Sequence, residues 1–368
     1  MKKFAAILVG LLLILGGWFY FGHQPQPNPV QPTRPVFKIG VIGPFTGDAA
    51  SFGKSCMNAL QFSFDNAQDT KLDYKLIFED DVFQPSKSAM AANKLINLDR
   101  VNVIVTCSAV TGSTIAAIVE KSKTPMIALY TSDTNTIKNN PHIFMIDSSP
   151  SEQGRKMVDL LQKQGVKKVA ILAFQHTGAQ ALTENVINAA KETDIAITTH
   201  VFLPSERNFD QILENVVAEK PDMLMVLTVS PQADIIMKRL KEKQITIPVT
   251  SIDIPSLIEN KSIFEGVTYV AVADGDPKML EAYKVKYQTN NIFNVATAYD
   301  AASMIRLVVE QFYEANGRIP MGDAFVEGLH NLKTYHGAAG ILTIPQDRFI
   351  AAPVAVKKIV DGKEVVVE

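Results

Sequence analysis

Two hydrophobic periodicities alternate along this chain. Short apolar runs bounded by Gly, Pro, Asn or Asp recur, and between them lie longer stretches with apolar residues three and four apart. The first unit is Phe37–Asn66, FKIGVIGPFTGDAASFGKSCMNALQFSFDN. It has an apolar run at Phe37–Ile42, a loop broken by glycine and proline over Gly43–Gly53, and then Met57, Leu60 and Phe64 at helical spacing. Strand, loop and helix in that order predict the opening of a βαβ sheet. Strands follow at Tyr74–Phe78, Val101–Cys107 and Pro125–Leu129, with helices at Pro85–Leu98 and Ser113–Lys121 between them. A short apolar run, Ile143–Ile146, leads to Asp147-Ser148-Ser149-Pro150. Strands that are each followed by a helix predict a parallel sheet.

The pattern then restarts. Helices are predicted at Ser151–Gln164, Ala181–Lys191, Asp210–Glu219 and Pro231–Lys243, and strands at Lys168–Phe174, Ala196–Phe202, Met223–Thr228 and Pro248–Ile252. Two βα series of similar length predict an α/β protein with two Rossmann-like halves. The last third fits neither half cleanly: helices at Met279–Tyr287 and Thr297–Ala315, a strand at Gly340–Ile344, and Val354–Val360 with Glu364–Val367 flanking an Asp361-Gly362 hairpin turn.

Length agrees with this division, since 368 residues suit two domains better than one. A net charge of −2, with Lys and Arg scattered, provides no basic field for nucleic acid. At the N-terminus, Met1-Lys2-Lys3 precedes an uncharged run, Phe4–Gly22, that as a helix would span roughly 28 Å, close to a bilayer core. It reads as a signal peptide or a retained membrane anchor over residues 1–22, with the basic end cytoplasmic and the remainder exported. Trp18, Phe19 and Tyr20 stand where an interfacial aromatic belt would lie, which favours the anchor. Residues 23–35 form a proline-rich spacer.

Enzyme and cofactor chemistry find little support. Gly47 to Gly53-Lys54-Ser55 suggests a phosphate loop, but five residues separate the glycines where that motif needs four. The six histidines form no metal-spaced pair, and no Gly-x-Ser-x-Gly elbow occurs. Glu79-Asp80-Asp81 at a strand end reads as a solvated edge rather than a metal site. No catalytic residue, metal or cofactor is therefore expected. The two cysteines, Cys56 and Cys107, are either a disulfide or two buried thiols.

The segment IGVIGPFTGDAASFG resembles the opening of the amino-acid-binding proteins of ABC uptake systems, the leucine/isoleucine/valine-binding type. Gly43, Thr46-Gly47 and Phe52-Gly53 carry the likeness, and YHGAAGILTIPQDRF resembles the family's last crossing between lobes. The resemblance runs from about Phe37 to Gly362. It implies a type I periplasmic binding fold, two lobes joined by a three-strand hinge, with crossings near Asp147–Pro150, Asp274–Asp276 and Tyr335–Gly337. The first lobe would take residues 36–147 and 275–334, the second 148–274 and 335–368. In the family a cysteine at the Cys107 position usually pairs near Val82 or Phe83, where this chain has none.

The same resemblance implies a set of ligand-binding residues. Ser108 matches the serine whose hydroxyl and amide hold a ligand carboxylate, and otherwise is a helix-cap serine. Tyr130-Thr131-Ser132 matches a small-residue loop where a carbonyl and a hydroxyl meet the ligand ammonium, with Tyr130 replacing a small residue. Asp253 matches the acid that pairs with the ammonium, and otherwise is a turn aspartate. Phe52 matches the aromatic wall of the first lobe. Thr177 (or His176) and Val229-Ser230 stand where second-lobe aromatics usually lie. The function implied is capture of a small amino-acid-like ligand in the periplasm or at the cell surface, for delivery to an ABC permease. The alternative is a membrane-anchored ligand sensor, or an activator of envelope enzymes, built on the same fold.

Overall fold

The computed structural model describes residues 34–47, 49–131, 133–258 and 260–368. The hydrophobic segment 1–22 and nearly all of the spacer 23–35 lie outside the described residues, as does Ser132. Among the described residues, no helix is long and apolar enough to cross a membrane.

The first series is Val36–Gly43 (β1), Ala50–Asp65 (α1), Asp73–Asp80 (β2), Pro85–Lys94 (α2), Val103–Thr106 (β3), Ala109–Ser122 (α3), Met126–Leu129 (β4) and Ile143–Ser148 (β5). The second is Pro150–Lys163 (α4), Lys168–Phe174 (β6), Thr177–Ala190 (α5), Ala196–Phe202 (β7), Asp210–Glu219 (α6), Met223–Leu227 (β8), Gln232–Glu242 (α7), Val249–Thr250 (β9), Ile254–Leu257 (α8) and Thr268–Val272 (β10). The remainder is Pro277–Tyr287 (α9), Val295–Asn316 (α10), Asp323–Leu332 (α11), Thr334–Gly337 (β11), Gly340–Thr343 (β12), Phe349–Ala352 (β13), Val354–Val360 (β14) and Lys363–Val366 (β15).

Two sheets organise these elements. The first is fully parallel, in the order β13-β5-β4-β3-β1-β2. The second is parallel in the order β7-β6-β8-β9, and a parallel bridge from Ile252 to Val270 joins it to the antiparallel set β10-β14-β15. Helices cover both faces, which is why the strands read as continuous apolar runs. On β3, Val103 and Val105 face one core and Ile104 the other, the two-residue alternation of a strand. In each sheet the order reverses beside the first strand of its series, β1 or β6, and such a reversal opens a crevice at the carboxyl ends of the strands.

The last third of the chain resolves differently from expectation. β10 and α11 were not anticipated, and β13 pairs with β5 in the first sheet. Leu342, Ile344 and Ile350 are buried in the first lobe's core alongside α10 and α11. The strands after Tyr335 therefore stay with the first lobe until the chain crosses at Pro353, between β13 and β14. Asp300 on α10 holds this arrangement: its carboxylate oxygens accept the amides of Ala338 and Ala339, each at 2.7 Å. The middle crossing runs through Gly275, whose φ of +94° and 2.6 Å approach of the Ala338 carbonyl to a Cβ position leave room only for glycine.

Cys56 on α1 and Cys107 at the end of β3 form a disulfide, with Cα atoms 5.9 Å apart and both residues fully buried. The bridge pins the first helix to the strand beside the crevice. It closes a loop of 51 residues' separation. Loop-closure entropy of that size is worth about 4 kcal/mol in the chain-entropy model, and measured losses for native bridges are about 2–5 kcal/mol. The double substitution Cys56→Ser/Cys107→Ser is expected to lower unfolding free energy by about 2–4 kcal/mol in urea titrations. Equal stability with and without the bridge would contradict this.

Candidate functional site

The crevice of the first lobe is built by strand-end acids. Asp80 accepts the amides of Phe45 and Thr46, at 2.9 and 3.4 Å, and so shapes the loop after β1. Asp81, fully buried, accepts the Phe83 amide at 2.9 Å and the Ser88 hydroxyl at 2.7 Å. The solvated edge expected for Glu79-Asp80-Asp81 is thus a loop-fixing cluster. Among the described residues, no group of acids, histidines and cysteines is placed to hold a metal.

Ser108 belongs to the same network. Its oxygen caps α3 by accepting the Thr111 amide at 3.1 Å, and it lies 2.6 Å from the Thr111 hydroxyl. Thr111 spends its own proton on Asp81, at 2.5 Å. The Ser108 hydroxyl must then donate to Thr111, which leaves no proton for a ligand carboxylate. The cap serine is the geometry found.

Phe52 and Tyr130 come together in the structure, and Phe293 joins them. The Phe52 ring lies 5.0 Å from Tyr130 and 6.0 Å from Phe293, centroid to centroid. Gly53 makes this possible, because a Cβ there would sit 2.0 Å from the Pro44 carbonyl oxygen. Tyr130 is buried, adopts a left-handed φ of 59°, and donates to the Asn294 carbonyl at 3.2 Å. It occupies space that a small residue would leave open. Burial, with Tyr283 and Asp147 nearby, raises its phenol well above the ordinary value.

The second lobe places Asp253 at the head of the short helix α8, with φ of 60°. Its Oδ2 accepts Gln153 Nε2 at 2.6 Å and its Oδ1 accepts the Val272 amide at 3.2 Å. The segment that carries it is anchored below by a buried ionic cluster. Glu364 accepts Lys261 at 2.8 Å, the Ser256 hydroxyl at 2.7 Å and the Tyr269 hydroxyl at 2.9 Å, and Lys357 bridges Glu364 and Asp274. Burial alone would raise the Glu364 carboxyl, but Lys357 and Lys261 outweigh it and hold it at about 2.

Asp147, at the end of β5, lies near enough to Asp253 to feel its charge. Its Oδ1 accepts the Ser148 amide at 2.8 Å, and among the described residues no cation pairs with it. Burial pushes the Asp147 carboxyl up to about 8, and the charge of Asp253 adds to the effect. Burial also raises Asp253, to about 6, against the pull of Gln153, Val272 and Lys357. Lys357 is already shared between Asp274 and Glu364, so neither Asp147 nor Asp253 has an ion-pair partner among the described residues. Sequence reasoning took Asp147 only as a crossing point; its one signal was an acid at the carboxyl end of a strand. Thr228, at the end of β8, was also missed: it is fully buried and its hydroxyl has no partner among the described residues.

The remaining expected residues lie at the second lobe's rim. Thr177 is the first residue of α5. His176 caps that helix, its Nδ1 accepting the Gly178 amide at 3.1 Å. Its ring stacks on Phe174 at 5.0 Å and meets Phe83 of the first lobe at 6.4 Å. Val82 and Phe83 both adopt left-handed φ, 43° and 62°, an unfavourable turn for a β-branched residue that Asp80 and Asp81 hold in place. Ser230 is exposed and donates its hydroxyl to Asp234, away from the acid pair.

The described fold has clear relatives. A family model described as periplasmic binding protein matches residues 36–364. An amino acid binding protein of Pseudomonas aeruginosa is 25% identical over 222 residues, a stretch that covers 56% of this chain and 58% of that relative. Among solved structures, a leucine binding protein LivK from Thermotoga maritima superposes with a TM-score of 0.81 at 22% identity, over 90% of this chain and 98% of that one. LivJ from Streptococcus pneumoniae, a branched-chain amino acid transporter substrate binding protein in complex with isoleucine, gives 0.80 at 17% identity, over 90% and 99%. An ABC-transporter solute binding protein from Rhodopseudomonas palustris, in complex with 3,4-dihydroxybenzoic acid, gives 0.79 at 22%, over 90% and 96%. At these identities the structural likeness establishes the fold.

The acid pair has a measurable consequence for stability. A carboxyl raised in the folded state contributes stability that is complete below its unfolded value, near 3.8, and is lost as pH rises through its folded value, near 8 for Asp147. Asp147→Asn keeps the acceptor for Ser148 and removes the charge. It is expected to stabilise the ligand-free protein on the order of 1–3 kcal/mol above that range, and to change little near pH 5. Thermal unfolding across pH checks this; a destabilised Asn variant at alkaline pH would contradict it.

Proposed function

The chain belongs to the periplasmic binding protein family, and we propose that it is an extracytoplasmic receptor that closes two lobes on a small solute carrying an ammonium group. The observation that carries this reading is the acid pair. Asp147 stands at the end of β5 and Asp253 at the head of α8, near enough for the charge of Asp253 to raise the Asp147 carboxyl, and neither forms an ion pair among the described residues. An ammonium between them would offset one of the two negative charges and weaken the repulsion that opposes closure. Binding and closure are then one event, because only the closed state offers both carboxylates to the ligand.

The same charges discriminate between the ligand types seen in structural relatives. One relative holds isoleucine and another 3,4-dihydroxybenzoic acid. A bare aromatic carboxylate placed between Asp147 and Asp253 would meet like charge at short range, which costs several kcal/mol in a desolvated cleft. An amino compound meets opposite charge. In this reading Gln153 and the Glu364 cluster orient Asp253, and Phe52, Tyr130 and Phe293 wall the ligand's apolar part. Ser132 is assigned to the first-lobe loop around the ligand. Ser108 contributes through the amides it organises at the head of α3 rather than through its hydroxyl.

The protein acts here as a receptor and not as an enzyme. Delivery to an ABC permease is the role this reading gives the protein, supported by the transporter solute-binding proteins among its structural relatives. The family is extracytoplasmic, and residues 4–22 would keep this member at the membrane surface.

Proton linkage tests the reading. Below about pH 8 Asp147 holds a proton that an arriving ammonium must displace. Binding of an amino ligand near neutral pH is expected to release up to about one proton, and affinity is expected to rise from pH 6 to 8 and then level off. Calorimetry in buffers of differing ionisation enthalpy measures that proton. Asp253→Asn is expected to weaken the same ligand by roughly tenfold or more. Binding without proton release, and unaffected by Asp253→Asn, would place the ammonium elsewhere.

A further inference from the structure

The three crossings between the lobes are not held alike. The first and third lie side by side at the first-lobe end, where Ser148 of β5 pairs with Ala352 of β13. The third and middle crossings lie side by side at the second-lobe end. There Val354 of β14 pairs with Val272 of β10, and the Ala273 amide donates to the Pro353 carbonyl at 2.8 Å. The middle crossing thus enters the second lobe as part of a sheet. In the first lobe it joins no sheet, because the next element is the helix α9. Asp276 caps that helix, its Oδ1 accepting the Met279 amide at 2.7 Å, and Leu280 and Tyr283 of α9 are buried in the first lobe's core. The change of lobe is therefore confined to Ala273, Asp274 and Gly275.

A backbone bond seats this segment on the first lobe: the Asp276 amide donates to the Ala338 carbonyl at 2.7 Å. Ala338 lies in the turn between β11 and β12, two strands that pair only with each other. A two-stranded hairpin is marginally stable by itself. Asp300 of α10 supplies the support. It is fully buried, and its two oxygens accept the amides of Ala338 and Ala339, each at 2.7 Å. Gly337 permits this approach, because a Cβ there would run into the carboxylate. The same turn also reaches the third crossing, since a Cβ on Gly340 would lie 3.6 Å from the Pro353 ring. Gly275 in turn fits closely against the Ala338 carbonyl and against Ala296 of α10.

We propose that Asp300 is a positioning residue for lobe closure: through the β11–β12 turn it fixes the first-lobe end of the middle crossing, so that the lobes swing about Ala273–Gly275 over a narrow range. On the other side, Asp274 is held by Lys357, which is buried and also pairs with Glu364 at 3.2 Å. Gly275 thus stands between a residue fixed to the second lobe and one fixed to the first. Hinges absorb large dihedral changes in a few residues at the ends of elements. A carboxylate bonded to two adjacent amides is a stiff support for such a hinge, because charge-assisted hydrogen bonds are roughly twice as strong as neutral ones. The inference rests on the two-lobe closure given under Proposed function, and not on the charge of the ligand.

Distances between the lobes test this in the ligand-free full chain near pH 8, where Asp300, raised by burial to about 6, is ionised. Nitroxide labels are placed through Met90→Cys on α2 and Lys238→Cys on α7, both exposed and on different lobes. Double electron–electron resonance is expected to give a distance distribution roughly twofold broader for Asp300→Asn than for the unaltered hinge. Asparagine keeps one acceptor and turns its amide group toward the other N–H. Gly275→Ala, which pushes the middle crossing off Ala338, is expected to broaden the distribution as well. The double variant is expected to broaden it no further, since both changes act at one contact. Cys56→Ser/Cys107→Ser takes stability from the first lobe without touching a crossing, and is expected to leave the width unchanged. An unchanged width in Asp300→Asn, or equal broadening in the cysteine control, overturns the proposal. Should Asp300→Asn not fold, an unchanged width in Gly275→Ala overturns it instead. No ligand enters the measurement, so a failure of the ammonium reading leaves this test standing.

Discussion

Two carboxyls raised by loss of water, Asp147 at the end of β5 and Asp253 at the head of α8, neither with an ion-pair partner among the described residues, set the terms for the rest of this structure. Leaving charge under-neutralised in a cleft is costly, and a fold keeps it only where surrounding structure fixes the groups in place. Asp147 is fixed by β5, flanked on both sides by β13 and β4 in the six-stranded order, and by the Ser148 amide. Asp253 is fixed by Gln153, by the Val272 amide and by the segment beneath it, which Glu364, Lys261 and Lys357 clamp. The contrast between the two ionic sites is instructive. Glu364 is buried with two lysines and is held ionised, at about 2. Asp147 is half-buried near another acid, and loss of water around it pushes its carboxyl up to about 8. The first arrangement is built to stay as it is; the second changes state when a cation arrives.

Much of the fold was legible because periodicity reports local structure. The strands Lys168–Phe174, Ala196–Phe202 and Val354–Val360 and the helix Asp210–Glu219 lie where the pattern put them. The failures came where long-range pairing decides. Thr268–Val272 is an apolar strand with no crossover helix of ordinary length before it, so the βα rhythm did not announce it. Phe349–Ala352 is apolar on both faces, and only its pairing with β5 assigns it to the first lobe. Composition had no means of choosing between the two lobes for Tyr335–Ala352; the buried carboxylate of Asp300, accepting two amides of the β11–β12 turn, does so.

The candidate site was legible in part for the same reason. Phe52, Tyr130 and Asp253 stand at strand ends or helix starts, and a resemblance can mark such positions. Ser108 was marked equally well, yet its proton is committed to Thr111 through Asp81, a network whose members are scattered over the sequence. Asp147 lies 106 positions before Asp253 (253 − 147), and nothing local signals that the charge of one reaches the other. The Cys56–Cys107 bridge was open between two readings, and the family's usual partner position pointed elsewhere; proximity of α1 to the end of β3 settles the pairing.

Closure of the lobes gathers these features into one event. Phe83 already reaches the His176 ring across the cleft, presented by a turn with two left-handed residues. Against that attraction stands the repulsion of Asp147 and Asp253, whose strength depends on pH because both carboxyls are raised. Small-angle scattering of the ligand-free chain at about pH 5 and about pH 8.5 tests this balance directly. The account predicts a larger radius of gyration at the higher pH, and no pH response in the Asp147→Asn/Asp253→Asn double variant. A wild-type radius that does not change with pH, or a double variant that still expands, would contradict it.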